Sequence, residues 1–366
     1  MGAVTLSQLK LGDKLAEDVL TPLGSVLFHK GHIIQSRELD ILQAFLIRQV
    51  EVSDPPGKQD AAKPAAKSAA DKAGAAVAQP KEAAGAAVTS FEAEYDRLVL
   101  LLKKSFQSVS AASALPVLDL RKQLEIVLSL ISQYNPLTFV PRSFQESDYW
   151  YHNSAASALT SYLIAQWSGI PQKDWMQLAL AGLLHDIGNV KLDPSILHKP
   201  SKLTAEETEE MMRHTKMGYQ LLKNVAALNE GVKLTALQHH EREDGTGYPL
   251  NIMAESIHPY AKIVAIADIF HAMTMSKAYR KGQSPYLVLE QIKSDAFGKL
   301  DPGFVTVFVD KVTQFVNGTK VRLSDGRVGE IIFSDRVYPT RPWVSVGGTI
   351  VNLTVERQLY ILEVLK

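Results

Sequence analysis

The stretch from residue 54 to residue 90 constrains the fold most, because it cannot belong to a hydrophobic core. It consists mainly of Ala, Lys, Pro, Gly, Asp and Gln, and its largest apolar side chains are Val77 and Val88. Such a segment cannot bury enough apolar surface to offset the entropy that is lost on ordering. We interpret it as a flexible linker, with a loosely helical Ala/Lys spacer as the alternative. The chain must therefore fold as separate units on the two sides of this segment.

The flanking segments differ in their hydrophobic pattern. Residues 1–53 combine turn signals with one helical spacing, which predicts a small α+β module. Residues 91–139 predict a helical segment that leads into an all-α bundle over residues 140–316. In residues 317–366, apolar runs flank Ser324-Asp325-Gly326-Arg327, which predicts a hairpin within a small β unit. The expected fold class is therefore mainly α, with small α+β and β units at the two ends.

Charge and cysteine content exclude several classes of function. Lys plus Arg and Asp plus Glu both number 39, so the chain has no diffuse basic field for a nucleic acid polymer or an anionic membrane. The sequence contains no cysteine, which excludes a disulfide scaffold, a thiolate zinc site and a cysteine nucleophile. No stretch approaches the ~18 apolar residues of a membrane span. The N-terminus lacks a signal-peptide pattern, so we expect a cytoplasmic protein.

Histidines and aspartates occur where the pattern predicts buried apolar side chains. His185-Asp186 directly follows an apolar helix, and Asp268 lies within a second apolar segment. An unpaired buried carboxylate costs several kcal/mol, so Asp268 requires a cation or strong hydrogen-bond donors. The candidates of this kind, each on a different predicted helix, are His152, His185-Asp186, His214, His239-His240 and Asp268.

The spacing of these candidates predicts one metal site. They are separated by roughly 25 to 33 residues, about one helix plus one loop, so packed helices can bring them together inside a bundle. Imidazole and carboxylate ligands without thiolate suit Fe, Mn, Zn or Ni. The adjacent pairs His185-Asp186 and His239-His240 fit two ions better than one. The alternative is that each histidine is a satisfied core or cap residue, which explains one of them more easily than the whole set.

In this order, the motifs resemble an HD-GYP domain, the subgroup of the HD superfamily that contains bacterial cyclic di-GMP phosphodiesterases. The resemblance is carried by His185-Asp186-Ile187-Gly188, by His214, by the block from His239 to Pro249 (HHEREDGTGYP) and by Asp268, and it covers about residues 140–316. It implies an HD-type all-α bundle around a metal centre with two or three ions, commonly iron or manganese.

The resemblance also implies roles for individual residues. It places catalysis at His185 and Asp186, and it implies metal ligands at Asp148, His152, His185, Asp186, His214, His239, His240 and Asp268. It implies substrate-binding positions at Lys277, Arg280, Asn189, Gly245, Gly247, Tyr248 and Pro249. Three positions depart from the family pattern, because Asn189 replaces a usual Lys, His271 replaces a usual Asp and Thr215 replaces a usual Pro after His214.

These roles imply a metal-dependent phosphodiesterase of second-messenger signalling that hydrolyses cyclic di-GMP to linear pGpG, to GMP or to both. Two divalent ions would lower the pKa of a water molecule and screen the phosphate oxygens. One alternative is a hydrolase of another cyclic dinucleotide, such as cyclic GMP-AMP. Another is a receptor that binds cyclic di-GMP with little turnover, which Asn189 and His271 leave open. The resemblance also implies a diguanylate cyclase (GGDEF) protein as a candidate partner, and it leaves a homodimer open.

Overall fold

A computed structural model describes residues 2–6, 8–20, 26–44, 47–53, 90–276, 281–314 and 318–365. The described residues up to 53 fall in one compact unit, and those from 90 onward fall in a second. Apart from Ser90, the predicted linker lies outside the described residues, as do Lys277 and Arg280. Within the described part of the chain, no helix has the length and apolarity that a membrane span requires.

The first unit is a small α+β module, as the sequence predicts. Its elements are β1 (Gly2–Thr5), β2 (Val19–Leu20), β3 (Val26–Phe28), α1 (Ser36–Ala44) and β4 (Gln49–Val52). Strand β1 pairs with β4 and β2 pairs with β3, both antiparallel. Leu15, Ile34 and Leu42 are completely buried and form the centre of this unit.

The second unit begins with a long series of helices. These are α2 (Phe91–Ser110), α3 (Val117–Ser129), α4 (Tyr149–Trp167), α5 (Gln172–Leu184), α6 (Pro194–Leu197), α7 (Ala205–Met212), α8 (His214–Leu222), α9 (Glu230–Gln238), α10 (Pro259–Thr274), α11 (Pro285–Asp295) and α12 (Pro302–Val312). Short 3-10 helices also occur, among them Glu146–Asp148 and Ile187–Lys191. The local sequence determines several helix starts: Thr204 and Glu207 form a capping box before α7, and Pro259 is the first residue of α10.

Close packing of five helices creates the interior of the bundle. Helix α4 packs along α5 and α10, while α9 contacts α5, α8 and α10. The contact between α4 and α5 depends on Gly182, because a Cβ atom there would lie 2.8 Å from Ala158 Cα. The candidate ligands lie within these five helices or directly next to their ends, so the packing of the helices decides how the site is assembled.

The chain ends in an antiparallel sheet of five strands. The strands are β5 (Lys320–Leu323), β6 (Val328–Phe333), β7 (Trp343–Val346), β8 (Thr349–Asn352) and β9 (Ile361–Val364), in the order β8-β7-β6-β5-β9. The predicted hairpin is confirmed, because β5 and β6 pair across a turn in which Gly326 has a φ of +90°. Arg341 donates hydrogen bonds to both oxygens of Glu290 on α11, at 2.6 and 2.8 Å, and thereby holds the sheet against the helices.

Candidate metal centre

The structure brings six of the predicted ligands together. His185 and Asp186 follow the end of α5, His214 opens α8, His239-His240 follow the end of α9, and Asp268 lies inside α10. Their ligand atoms form two groups that share Asp186, in which all atoms of a group lie within 4.8 Å of one another. One group contains His185, Asp186 and Asp268, and the other contains Asp186, His214, His239 and His240. The helix ends thus converge on one buried point of the bundle.

Asp186 lies between the two groups. Its Oδ2 atom is 3.2 Å from His185 Nε2, whereas its Oδ1 atom is 3.4 Å from His214 Nε2 and 3.6 Å from His239 Nε2. On the far side, Asp268 Oδ1 lies 3.5 Å from His185 Nε2. The two oxygens of one carboxylate therefore face two different sets of imidazoles, which is the arrangement of a bridging ligand.

Backbone carbonyl groups fix the orientation of three imidazole rings. The Nδ1 atoms of His185, His214 and His239 donate to the carbonyl oxygens of residues 182, 211 and 235, at 2.8, 2.7 and 3.0 Å. In the neutral form of each ring, Nδ1 therefore carries the proton and Nε2 presents a lone pair to the site. The Nε2 atoms of His214 and His239 lie only 3.3 Å apart.

These lone pairs need a cation between them. The Nε2 atom of His185 is buried without a hydrogen-bond partner among the described residues, although an Asp186 oxygen lies nearby. Facing lone pairs repel one another, and buried anions are costly unless a positive charge compensates them. The donor set of imidazole and carboxylate groups with carbonyl-anchored rings fits divalent metal ions. The structure thus supports a divalent metal site at this cluster.

The charges in the cluster are those of metal ligands. Burial alone would raise the pKa of Asp186 and of Asp268, but the facing histidines outweigh it and hold both pKa values well below the ordinary range. Burial lowers the pKa of His214 to about 4 and that of His240 well below its usual value. The facing carboxylates of Asp186 and Asp268 outweigh burial and raise the pKa of His185 well above its usual value. Around neutral pH the metal-free cluster therefore offers two carboxylates and the neutral rings of His214 and His240, and a bound ion would displace the proton of His185.

A loop after α9 covers the histidines from one side. The Tyr248 ring stacks on His240 with ring centroids 4.7 Å apart. The buried carboxylate of Glu241 accepts hydrogen bonds from the backbone N–H groups of Leu250, at 2.6 Å, and Ile252, at 3.3 Å. Gly247 must be glycine, since a Cβ atom would lie 2.3 Å from the backbone nitrogen of Arg242. The loop is thus fixed at its base, directly beside the predicted ligand His240.

Two residues of the site were missed in the sequence analysis. Glu241 supports the loop as described above, and its place directly after His239-His240 was the available signal. Asn153 on α4 is buried and donates from Nδ2 to Asp268 Oδ1 at 2.6 Å. An amide that holds a ligand carboxylate orients it for metal binding. Asn153 follows the candidate His152 directly, but no periodicity in the sequence connects it with Asp268, which lies 115 positions away.

The structure places two predicted ligands differently from the other six. Asp148 accepts a hydrogen bond from Lys103 Nζ at 2.6 Å, and His152 lies against the Tyr95 ring with centroids 5.9 Å apart. Neither residue belongs to the two groups of mutually close ligand atoms. A third ion held by Asp148 and His152 stays a prediction.

Among the predicted substrate-binding positions, Asn189 has the most notable surroundings. It lies in the 3-10 helix Ile187–Lys191 and is 5% exposed, and neither polar atom of its side chain has a hydrogen-bond partner among the described residues. Gly245, Gly247, Tyr248 and Pro249 lie in the loop beside His240. The predicted contacts of Lys277 and Arg280 lie outside the described residues.

His271, the second departure from the family pattern, belongs to a buried hydrogen-bond network. Its Nε2 atom lies 2.7 Å from Thr160 Oγ1 and 3.3 Å from the Tyr134 hydroxyl oxygen. Burial lowers the pKa of His271 to about 3. The residue therefore stays neutral and supports the contact between α4 and α10.

This network predicts a pH dependence of stability. Because the pKa of His271 is about 3 in the folded protein and about 6.5 in the unfolded chain, its contribution is present above pH 6.5. The contribution is lost progressively as the pH falls towards 3. Between pH 7.5 and 5, the free energy of unfolding of the wild type should fall by about 2 kcal/mol more than that of His271→Gln. Urea unfolding in excess chelator at several pH values measures how the free energy of unfolding of each variant depends on pH. The exposed His198→Gln variant is the control and should follow the wild type. The same pH dependence in the wild type and in His271→Gln would contradict a buried, neutral His271.

Comparison with known proteins agrees with this geometry. Residues 140–303 match the model of the HD domain family. The chain is 32% identical over 226 residues to a cyclic di-GMP phosphodiesterase of Pseudomonas aeruginosa, covering 62% of this chain and 53% of that protein. It is 35% identical over 143 residues to the cyclic di-GMP phosphodiesterase response regulator RpfG of Xanthomonas campestris, covering 38% and 37% of the two chains. The chain thus spans about half or less of these relatives.

A solved structure shares the fold. An HDG"Y"P protein from Bdellovibrio bacteriovorus superimposes with a TM-score of 0.50 at 14% identity, covering 84% of this chain and 97% of that one. At this identity the likeness concerns the fold alone. Together with the histidine and aspartate cluster, the family match identifies residues 140–303 as an HD domain, and the loop that contains Gly247, Tyr248 and Pro249 agrees with the resemblance to the HD-GYP subgroup.

Proposed function

We propose that this protein is a metal-dependent phosphodiesterase that hydrolyses cyclic di-GMP to linear pGpG, to GMP or to both, in second-messenger signalling. One observation carries the proposal: the two oxygens of Asp186 face two separate groups of buried ligands. Phosphodiester hydrolysis benefits from two ions, because the attacking and the leaving oxygen both need charge stabilisation. The similarity to relatives named as cyclic di-GMP phosphodiesterases supports this choice of substrate.

The clustered residues have different proposed roles in metal binding. His185 and Asp268 would hold one ion, His214, His239 and His240 the other, and Asp186 both. Bound there, two divalent ions, with iron or manganese as our choice, supply a Lewis acid and lower the pKa of a water molecule. The carbonyl-anchored Nδ1–H groups keep the three rings in their ligand orientation, so little reorganisation is needed when substrate binds. A third ion would be held by Asp148 and His152.

The substrate phosphates need cationic or polar groups besides the metal ions. We assign this role to Lys277 and Arg280, whose side chains would hold the non-bridging oxygens. Asn189, with unpartnered buried amide atoms, and the loop from Gly245 to Pro249 complete the proposed substrate contacts.

A second candidate substrate is cyclic GMP-AMP. A 3'3'-cGAMP-specific phosphodiesterase of Vibrio cholerae is 30% identical to this chain over 160 residues, which cover 31% of that protein. A receptor without turnover is less well supported, because all six ligands of the cluster are present and close together. We further propose action in the cytoplasm and a diguanylate cyclase (GGDEF) protein as partner.

Turnover by metal-loaded protein tests the proposal. Protein purified without oxygen and loaded with iron or manganese should convert cyclic di-GMP to pGpG or GMP, as separated by chromatography. The same protein in excess chelator should lose at least about 99% of this activity, since the ions supply several kcal/mol of stabilisation. Cyclic GMP-AMP, assayed in parallel, decides between the two substrates. Binding of cyclic di-GMP by the loaded protein without any product would establish a receptor instead.

A further inference from the structure

A large cavity lies beside the start of helix α4. Its volume is about 870 Å³, within the ~300–1,000 Å³ range of small-molecule sites. Residues from three parts of the chain line it, among them Lys103, Asp148, Tyr149, Trp150, Tyr151 and Met211. Lys103 belongs to helix α2, which lies outside residues 140–303 that match the HD domain. The wall of the cavity is therefore not provided by the HD domain alone.

The cavity adjoins the metal centre through two separate elements. Met211 lines the cavity, and its carbonyl oxygen accepts the Nδ1 hydrogen bond of the ligand His214. Tyr149 also lines the cavity, one helical turn before Asn153, which holds the ligand Asp268. Because residues of one helical turn are direct neighbours, both elements connect the cavity wall with the cluster. None of the six clustered residues lines the cavity, so the two sites are linked through these neighbouring residues.

Aromatic and polar groups occur together in the cavity wall. Tyr149, Trp150 and Tyr151 are consecutive lining residues, and the rings of Tyr149 and Trp150 meet edge to face with centroids 5.3 Å apart. Tyr149 is buried, whereas Trp150 and Tyr151 are partly exposed, and exposed aromatic rings provide stacking surfaces for nucleic acid bases. Phosphate groups alone would need no such surface, so the composition of the wall favours a ligand that carries a base.

The Lys103–Asp148 pair supplies the polar part of the wall. Its atoms are 2.6 Å apart, and the two side chains are 33% and 18% exposed, so both remain accessible from the cavity. The Watson–Crick edge of guanine places the acceptor O6 next to the donors N1–H and N2–H. An ammonium can donate to O6 while the neighbouring carboxylate accepts from both N–H groups. Adenine can form only one hydrogen bond with each of the two groups, because it has no amino group at position 2.

From this juxtaposition we propose that the cavity binds a guanine base of the cyclic dinucleotide, with Lys103 and Asp148 reading its edge and the aromatic residues stacking on its face. The proposal rests on the proposed function and refines it. Lys103 and Asp148 are then specificity-determining residues, and helix α2 contributes to the choice of substrate.

Binding to metal-free protein tests this site apart from catalysis. In excess chelator, calorimetric titration should show that Lys103→Ala raises the Kd for cyclic di-GMP at least about tenfold, as expected for the loss of a charged hydrogen bond. Lys104→Ala removes the adjacent, exposed lysine of the same helix and should stay within about twofold of the wild type. Asp148→Asn should bring the Kd values for cyclic di-GMP and cyclic di-AMP closer together, since an amide cannot accept both N–H groups. Trp150→Ala should raise the Kd about tenfold.

The outcomes separate this site from the proposed function. If metal-loaded wild type hydrolyses cyclic di-GMP but Lys103→Ala and Lys104→Ala bind it equally well, the guanine site is wrong and the phosphodiesterase assignment stands. If metal-free wild type does not bind cyclic di-GMP although the loaded protein hydrolyses it, the guanine site is also wrong, because a site made of side chains needs no ion. Absence of hydrolysis of every cyclic dinucleotide contradicts the proposed function itself. Melting curves confirm that each variant is folded.

Discussion

Asp186→Ala should remove the tightly bound metal and reduce cyclic di-GMP hydrolysis at least about a thousandfold. Asp186 faces His185 with one oxygen and His214 and His239 with the other. Its removal therefore weakens both halves of the cluster at once, and the four imidazoles and Asp268 remain with one negative charge less. No other residue among those described contributes to both groups of ligand atoms.

Metal analysis after dialysis and turnover of cyclic di-GMP measure this effect. Asp310→Ala, an exposed aspartate on α12, serves as the control and should keep both the metal content and the rate of the wild type. The two-ion assignment is wrong if Asp186→Ala retains two ions per chain or more than about a tenth of the wild-type rate. For the wild type we expect two tightly bound ions per chain, and Asp148→Ala should not change this number.

The clustering of the proposed ligands could be predicted because burial of polar groups is costly. His185, Asp186 and Asp268 stand beside long apolar runs, and a helix with this pattern must bury them. The structure indeed buries all three and places them together. Spacing by one helix and one loop was sufficient to predict convergence in a bundle, although it could not predict that Asp186 lies between the two groups.

The surroundings of Asp148 could not be predicted from its spacing in the sequence. Its separation from His152 by four positions predicts a shared helix face, but the structure has Asp148 in the 3-10 helix Glu146–Asp148, before α4 begins. The rotation of about 100° per residue does not hold across such a change of geometry. The partner of Asp148 is Lys103, which is 45 positions away on α2. Such a pairing depends on tertiary packing, which no local pattern contains.

The same limit applies to Glu241 and Asn153. Both act through hydrogen bonds to groups that only the folded chain brings near. Glu241 accepts from the N–H groups of Leu250 and Ile252, and Asn153 donates to Asp268 Oδ1. The fold class, the helix starts and the β5–β6 hairpin follow from local rules and were predictable. The pairing of β5 with β9 joins residues about forty positions apart and was not.

The tightest backbone contact of the site concerns Gly188, two residues after Asp186. A Cβ atom at this position would lie 1.9 Å from the carbonyl oxygen of His214 and 2.7 Å from the backbone nitrogen of Gly218. Both groups are backbone atoms of α8, so no side chain can rotate away to make room. Glycine at this position therefore determines how closely the ligand pair His185-Asp186 approaches the ligand His214.

We expect Gly188→Ala to lower the free energy of unfolding by about 3 kcal/mol, because α8 must move away from the 3-10 helix. The same displacement moves His214 relative to Asp186, so manganese affinity should fall at least about tenfold in protein that is still folded. Gly218→Ala is the matched control on the opposite side of this contact. Its Cβ would lie 3.4 Å from Ala236 Cβ and from Gly188 N, so it should change stability by less than about 1 kcal/mol. Urea unfolding and manganese titration of both variants measure the difference, and equal values for the two would show that the approach of α8 does not assemble the metal centre.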